Sequence, residues 1–227
     1  MLIQLFSEPI SLIGFLLAII IAVTIHEFAH AWMAYRLGDL TAKYADRLSL
    51  NPAKHFDIAG TLFLLLVGFG WGKPVPVNPN ALKGRYDELK VSIAGPVSNL
   101  LVALVLAFPI YAAEEFGINY QANLVLFIIK IIIEINIMLA VFNLIPLYPL
   151  DGSRILRSLA PVSWQEKIIN LEKSGPIILF AIIFMEYVLH INIIFPIIMY
   201  AERFFSSIIA SFITSLIDLV KLIASMF

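Results

Sequence analysis

His26, Glu27 and His30 lie within the run His26-Glu27-Phe28-Ala29-His30, two imidazoles four residues apart with a carboxylate beside the first. On a helix this spacing puts both rings on one face, where they can close on a single divalent metal. Glu27 is then placed to take a proton from a water activated at that metal, which is the chemistry of zinc-dependent hydrolysis. A catalytic zinc needs three protein ligands and one open position. The chain has no cysteine and four histidines, so the third ligand is a carboxylate or one of His55 and His190. The cysteine count also excludes disulfide frameworks and iron–sulfur clusters.

Asp151 is the preferred third ligand because it closes an apolar span at the depth of the two histidines, with Gly152 freeing the backbone beside it. Its alternative use is to cap a helix beginning near Ser153. His55 lies in a polar loop, as a group supporting or gating the site or simply as an interfacial one. His190 reads as a structural histidine within the fourth apolar helix.

These residues sit on elements that cross a membrane. Of the 227 residues, 61% are hydrophobic and only 14% are charged, and the mean hydropathy is +0.94. Soluble domains carry about 45–50% apolar and 25% charged residues, so this is an integral membrane protein. The net charge of -1 and the absence of a basic run give no reason to expect nucleic acid as a partner. The expected fold is all-α and polytopic, with about five transmembrane helices plus a re-entrant or interfacial extended segment. The first apolar stretch reads as a permanent helix rather than a signal peptide, since Met1 to Pro9 carries no Lys or Arg.

The spans fall at Ile10 to about Leu37, Leu89–Ala113, Ala122–Pro146, Ile177–Tyr200 and roughly Phe204–Phe227. Gly60–Gly70 is apolar but too short to cross. The three prolines of Gly72-Lys73-Pro74-Val75-Pro76-Val77-Asn78-Pro79 forbid a regular helix after it. Arg36, Lys43, Arg47 and Lys54 follow the first span, and Arg154, Arg157, Lys167 and Lys173 follow the third. The loop at Glu114–Asn119 has no base. The positive-inside rule therefore puts the N-terminus outside and residues 38–88 and 152–173 in the cytoplasm, with Arg203, in a short turn before the last helix, as the exception.

Three motifs occur in order: His26-Glu27-Phe28-Ala29-His30, Gly95-Pro96-Val97-Ser98-Asn99, and Asn143-Leu144-Ile145-Pro146-Leu147-Tyr148-Pro149-Leu150-Asp151-Gly152. Together they resemble the site-2 protease family of intramembrane zinc metalloproteases. Asn51-Pro52, His55 and Gly72-Lys73-Pro74-Val75-Pro76 resemble a compact prokaryotic subgroup of it that lacks a PDZ domain. The resemblance implies that His26, His30 and Asp151 bind one Zn2+ and that Glu27 activates the water. It also implies that Asn143 lines the site as a donor to the oxyanion, the alternative being a helix–helix hydrogen bond. The Gly95–Asn99 segment is expected to pack against the zinc helix.

On this reading residues 1–227 form a single membrane-embedded metalloprotease domain, with a catalytic core over about 10–152 and C-terminal helices over about 174–227. Its partners are transmembrane protein or peptide substrates and the lipid bilayer, with a homo-oligomer possible, and its location is a prokaryotic plasma membrane with the site toward the cytoplasm. The Gly72–Asn80 segment is expected either to pair edge-on with an unwound substrate or to be a plain surface loop. Lys130 and Glu134 are expected to pair on one helix face. The alternative function is a membrane metal-ion transporter or metal-binding membrane protein.

Overall fold

The computed structural model describes residues 8–67 and 70–226. The fold is α-helical throughout the described residues, where one isolated antiparallel bridge, Phe56 to Gly72, is the only β pairing. Eight α-helices follow in order: α1 (Pro9–Arg36), α2 (Thr41–Tyr44), α3 (Ile58–Val67), α4 (Asp87–Glu115), α5 (Leu124–Asn143), α6 (Asp151–Leu159), α7 (Gln165–Tyr187) and α8 (Phe195–Ala224). Five of them, α1, α4, α5, α7 and α8, are long and apolar enough to cross a membrane. This is a multi-pass membrane protein.

Every fourth residue of α1 from Gly14 through Ala18, Ala22, His26 and His30 to Ala34 is buried. Small residues at this spacing let helix backbones approach closely where the solvent is lipid. A Cβ on Gly14 would lie 2.7 Å from Ile131, so α1 and α5 meet there almost backbone to side chain. Phe15, Ala18 and Ala22 of α1 share an apolar cluster with Ile132 and Ile135 of α5. A second cluster joins Ala103, Ala107 and Ile110 of α4, Ile133, Ile137 and Val141 of α5, and Ile209 and Ile213 of α8. Helix α5 is thus the central post, with α1, α4 and α8 packed around it.

Helix α1 ends at Gly38, whose φ of +98° lets the Asp39 N–H turn back to the Ala34 carbonyl at 2.9 Å. Asp39 is fully buried and accepts from the N–H groups of Thr41 (2.9 Å) and Asn78 (2.7 Å). Burial alone would raise its pKa, but these bonds outweigh burial and hold it below the ordinary 3.8. Because the folded-state value is depressed, this anchor contributes fully above the ordinary value. It is lost only as pH falls through the lower folded one. Asp39→Ala is expected to release the N–H of the exposed Asn78 to solvent at a cost of about 1 kcal/mol, the net worth of one hydrogen bond. Faster proteolytic nicking near residues 76–80 at neutral pH is the check.

The apolar piece at 58–67 is a short helix whose chain returns, Trp71 packing against Gly60 and 5.6 Å from the Phe63 ring centroid. The extended segment after it lies along the C-terminal part of α1. There Val75 is buried with Ala31 and Ala42.

Two expectations need correction. The last two spans break at residues 188–194, not near residue 201, and Arg203 lies inside α8. Pro196 fits the first turn of a helix. One Glu186 carboxylate oxygen accepts from the N–H groups of Ile193 (2.9 Å), Ile194 and Phe195 (2.6 Å), filling that helix start. His190 consequently sits in the turn, exposed and with a positive φ of 55°, and not inside the fourth helix. Residues 154–173, with Arg154, Arg157, Lys167 and Lys173, form most of α6 and the first turns of α7. Arg157 ties them to α4, pairing with Glu88 and with Glu172 at 3.0 Å. The expected Lys130–Glu134 pair forms at 3.4 Å, with Glu134 half exposed.

Candidate active site

His26 and His30 lie on the buried face of α1, one turn apart. Asp151 is the first residue of α6, but its side chain makes no helix-capping bond. The carboxylate instead points to the histidines, with Oδ2 3.0 Å from His26 Nε2 and 3.2 Å from His30 Nε2. The two Nε2 atoms are 3.1 Å apart. Among the described residues this is the one His/Asp/Glu group able to share a metal, its ligand atoms all within 4.8 Å of one another.

The outer ring nitrogens decide the chemistry of the inner ones. His30 Nδ1 faces the Val91 carbonyl at 2.7 Å, an acceptor that cannot donate, so Nδ1 carries the proton. His26 Nδ1 faces Asn99 Oδ1 at 2.7 Å. In the neutral rings both Nε2 atoms then present lone pairs, which converge with a carboxylate oxygen. Three acceptors this close repel one another unless a cation lies among them, so the donor set fits zinc.

Gly95 completes the space. A Cβ there would lie 2.6 Å from His26 Cε1 and 2.7 Å from its Nε2, and in hard contact with His30 Nε2. The glycine is required because α4 passes over the two imidazole rings at backbone distance. The turn into α6 is equally tight, since a Cβ on Gly152 would strike the Leu144 and Ile145 carbonyls.

Glu27 is held from the other side. Its Oε2 accepts from the Val75 N–H at 3.0 Å. Pro74 and Pro76 have no N–H, so this is the single donor that the Pro74-Val75-Pro76 run offers, and it is spent on the carboxylate. The Lys73 peptide is fixed at both ends, its N–H on the His55 carbonyl at 2.7 Å and its carbonyl accepting from the Arg47 guanidinium. His55 is fully buried, its Nε2 bonding the Ser49 carbonyl at 2.6 Å, so it supports this loop rather than lying at an interface. Asn143 is at the end of α5, where its Nδ2 donates to the Leu139 carbonyl at 3.0 Å. His190 is remote in its turn.

Asn136 was not singled out in the sequence, and Arg47, Val75 and Asn99 were named there without the contacts they make. Asn136 was visible as an amide in an apolar span, where polar groups are expensive. Val75 was marked only by the two prolines that leave it as the sole donor.

The chain is 42% identical over 183 residues to the Bacillus subtilis (strain 168) protein named "Putative zinc metalloprotease YwhC", covering 78% of this chain and 83% of that one. The chain belongs to peptidase family M50, the site-2 proteases. The model of peptidase family M50 itself matches residues 108–188, the part that carries Asp151. Zinc metalloprotease MJ0392 of Methanocaldococcus jannaschii is 27% identical over 61% of this chain, which spans only 32% of that protein. The Mycolicibacterium smegmatis protein named Rip2 is 30% identical over 64% of this chain and 58% of its own length. No solved structure matches. As an M50 member the protein is a zinc metalloprotease of the membrane, in keeping with the His-His-Asp cluster.

Proposed function

We propose that this M50 protease hydrolyses peptide bonds within or near the transmembrane segments of membrane-protein substrates, as in regulated intramembrane proteolysis. The observation that carries this reading is the place of the three ligands. His26 lies about 15 Å before the end of α1, by helix rise, and closely follows the unbroken apolar run Leu12–Val23 of the same span.

His26, His30 and Asp151 are the proposed zinc ligands, and zinc when bound supplies a Lewis acid for the carbonyl and an acidified water. Glu27 takes the proton as water attacks the peptide carbonyl and returns it to the leaving amine. The Val75 N–H holds one oxygen of that carboxylate in place. Asn143 uses one Nδ2 hydrogen on Leu139, and its second hydrogen is the proposed donor to the developing oxyanion. A helical substrate must be locally unwound first, because its carbonyls are bonded within the helix. Edge pairing of that substrate with residues 74–76 gains nothing from the Val75 N–H, which is already used.

The domain we propose is single and membrane-embedded, with its catalytic core over residues 10–152. The shared packing of α4, α5 and α8 supports including the C-terminal helices in it. Basic residues around the inner loops support a plasma-membrane protein whose site faces the cytoplasm.

The test is cleavage of a transmembrane peptide in liposomes, with the cut mapped by mass spectrometry. Cuts within a few residues of the hydrophobic stretch are expected. Cleavage of soluble peptides alone would overturn the proposal, as would zinc flux without any cleavage. Val75→Pro removes the N–H while keeping an extended backbone. It is expected to lower kcat about 10–150-fold, the worth of one hydrogen bond to a charged group, with zinc content unchanged and Val75→Ala much closer to native.

A further inference from the structure

Asn99 of α4 and Asn136 of α5 are both fully buried, and their amides form a directed chain that ends on His26. Asn136 Nδ2 donates to the Ile132 carbonyl at 2.8 Å, which leaves Asn136 Oδ1 facing Asn99. Asn99 Nδ2 donates to that Oδ1 at 2.8 Å and to the Ala22 carbonyl at 3.0 Å. Asn99 Oδ1 therefore faces His26 Nδ1, 2.7 Å away. Two backbone carbonyls, which can only accept, fix the direction of every bond in the chain. Reversing either amide would set oxygen against oxygen at zero exposure, the costly way to bury a polar group.

We infer that the Asn99–Asn136 amide pair is a positioning device that holds His26 as its Nδ1–H tautomer, so that Nε2 is a ready metal ligand. Asn99 acts directly on the ring, and Asn136 acts through Asn99. The pair also joins three spans, α1, α4 and α5, at the depth of the site. Partners of this kind, beyond the ligands themselves, typically govern metal affinity by about 10–100-fold. The inference rests on His26 being a zinc ligand, as proposed above.

The experiment measures zinc affinity by chelator competition, and the visible absorption of the cobalt(II)-substituted protein, for the full chain in detergent. Asn99→Leu removes the acceptor and is expected to weaken zinc about 10–100-fold and to alter the cobalt band. Asn136→Leu is expected to weaken it by the worth of one neutral hydrogen bond, about 2–10-fold. Asn136→Asp in its acid form supplies an O–H for Ile132 and a C=O for Asn99, and is expected to restore native affinity and band. Native zinc affinity in Asn99→Leu would overturn the inference. So would an Asn136→Asp variant as weak as Asn136→Leu, since packing rather than bond direction would then be responsible. If Asn99→Leu does not fold, the two Asn136 variants decide alone on the same criteria. His26→Ala is measured alongside: zinc retained there would overturn the ligand assignment itself, whereas zinc lost there with Asn99→Leu unchanged would overturn the amide pair alone.

Discussion

Glu27→Gln is expected to lower single-turnover cleavage by about 10²–10⁴-fold while zinc stays bound. The size follows from removing a general base, about 3–5 kcal/mol of barrier. The substitution is a clean one because the glutamine Oε1 can still accept the Val75 N–H, which Glu27 accepts at 3.0 Å. The extended segment therefore keeps its seat on α1, and the three proposed ligands are untouched. Zinc content and cleavage of a transmembrane peptide, measured on one preparation, give the result. A variant that cleaves at the native rate would remove Glu27 from the chemistry. A variant that loses its zinc would make Glu27 a structural support of the site.

The second large effect belongs to Gly95→Ala. Its new methyl would stand 2.6 and 2.7 Å from the His26 ring, where real side-chain carbons do not approach. Either α4 backs away from α1 or the imidazoles turn, and either motion opens the ligand set. Overpacking of this kind costs about 1–3 kcal/mol, equivalent to about 5–150-fold in zinc affinity if spent wholly on the bound state. Cleavage should fall at least in step. Equilibrium dialysis against zinc separates the outcomes. Unchanged affinity would show that α4 does not need its close approach, and the second motif would lose its assigned purpose.

The sequence made the ligand face legible because helical spacing translates directly into geometry. His26 and His30 could only share a side of α1. Asp151 was legible by membrane depth alone, although its capping role could be dismissed only once its carboxylate was seen on the histidines. The spans were legible from their apolar length. The last turn was not, because only His190 and Asn192 interrupt the apolar residues 188–194, and the signal lay in Glu186 and Pro196. What stayed hidden was anything carried by backbone groups or by pairs distant in sequence. The Val75 N–H is invisible as a residue type, and Asn99 meets Asn136 only after two helices have packed. Arg47 looked like one more positive charge on an inner loop, yet it is buried and holds the Lys73 carbonyl.

The buried row on α1 that runs from Gly14 to Ala34 has a thermodynamic consequence. The same face that docks α1 onto its neighbours also carries both imidazoles, so occupancy of the proposed metal site and association of the helices are one linked equilibrium. A ligand present at a thousandfold excess over its dissociation constant stabilises the state that binds it by about 4 kcal/mol. Stripping the metal withdraws that amount from the contact between α1 and α6, whose His26, His30 and Asp151 are the proposed ligands, and not from the α4–α5–α8 cluster. A chelated sample should therefore melt in two stages, the zinc helix loosening first, and a chain that has misplaced α1 in the bilayer should be unable to retain its ion.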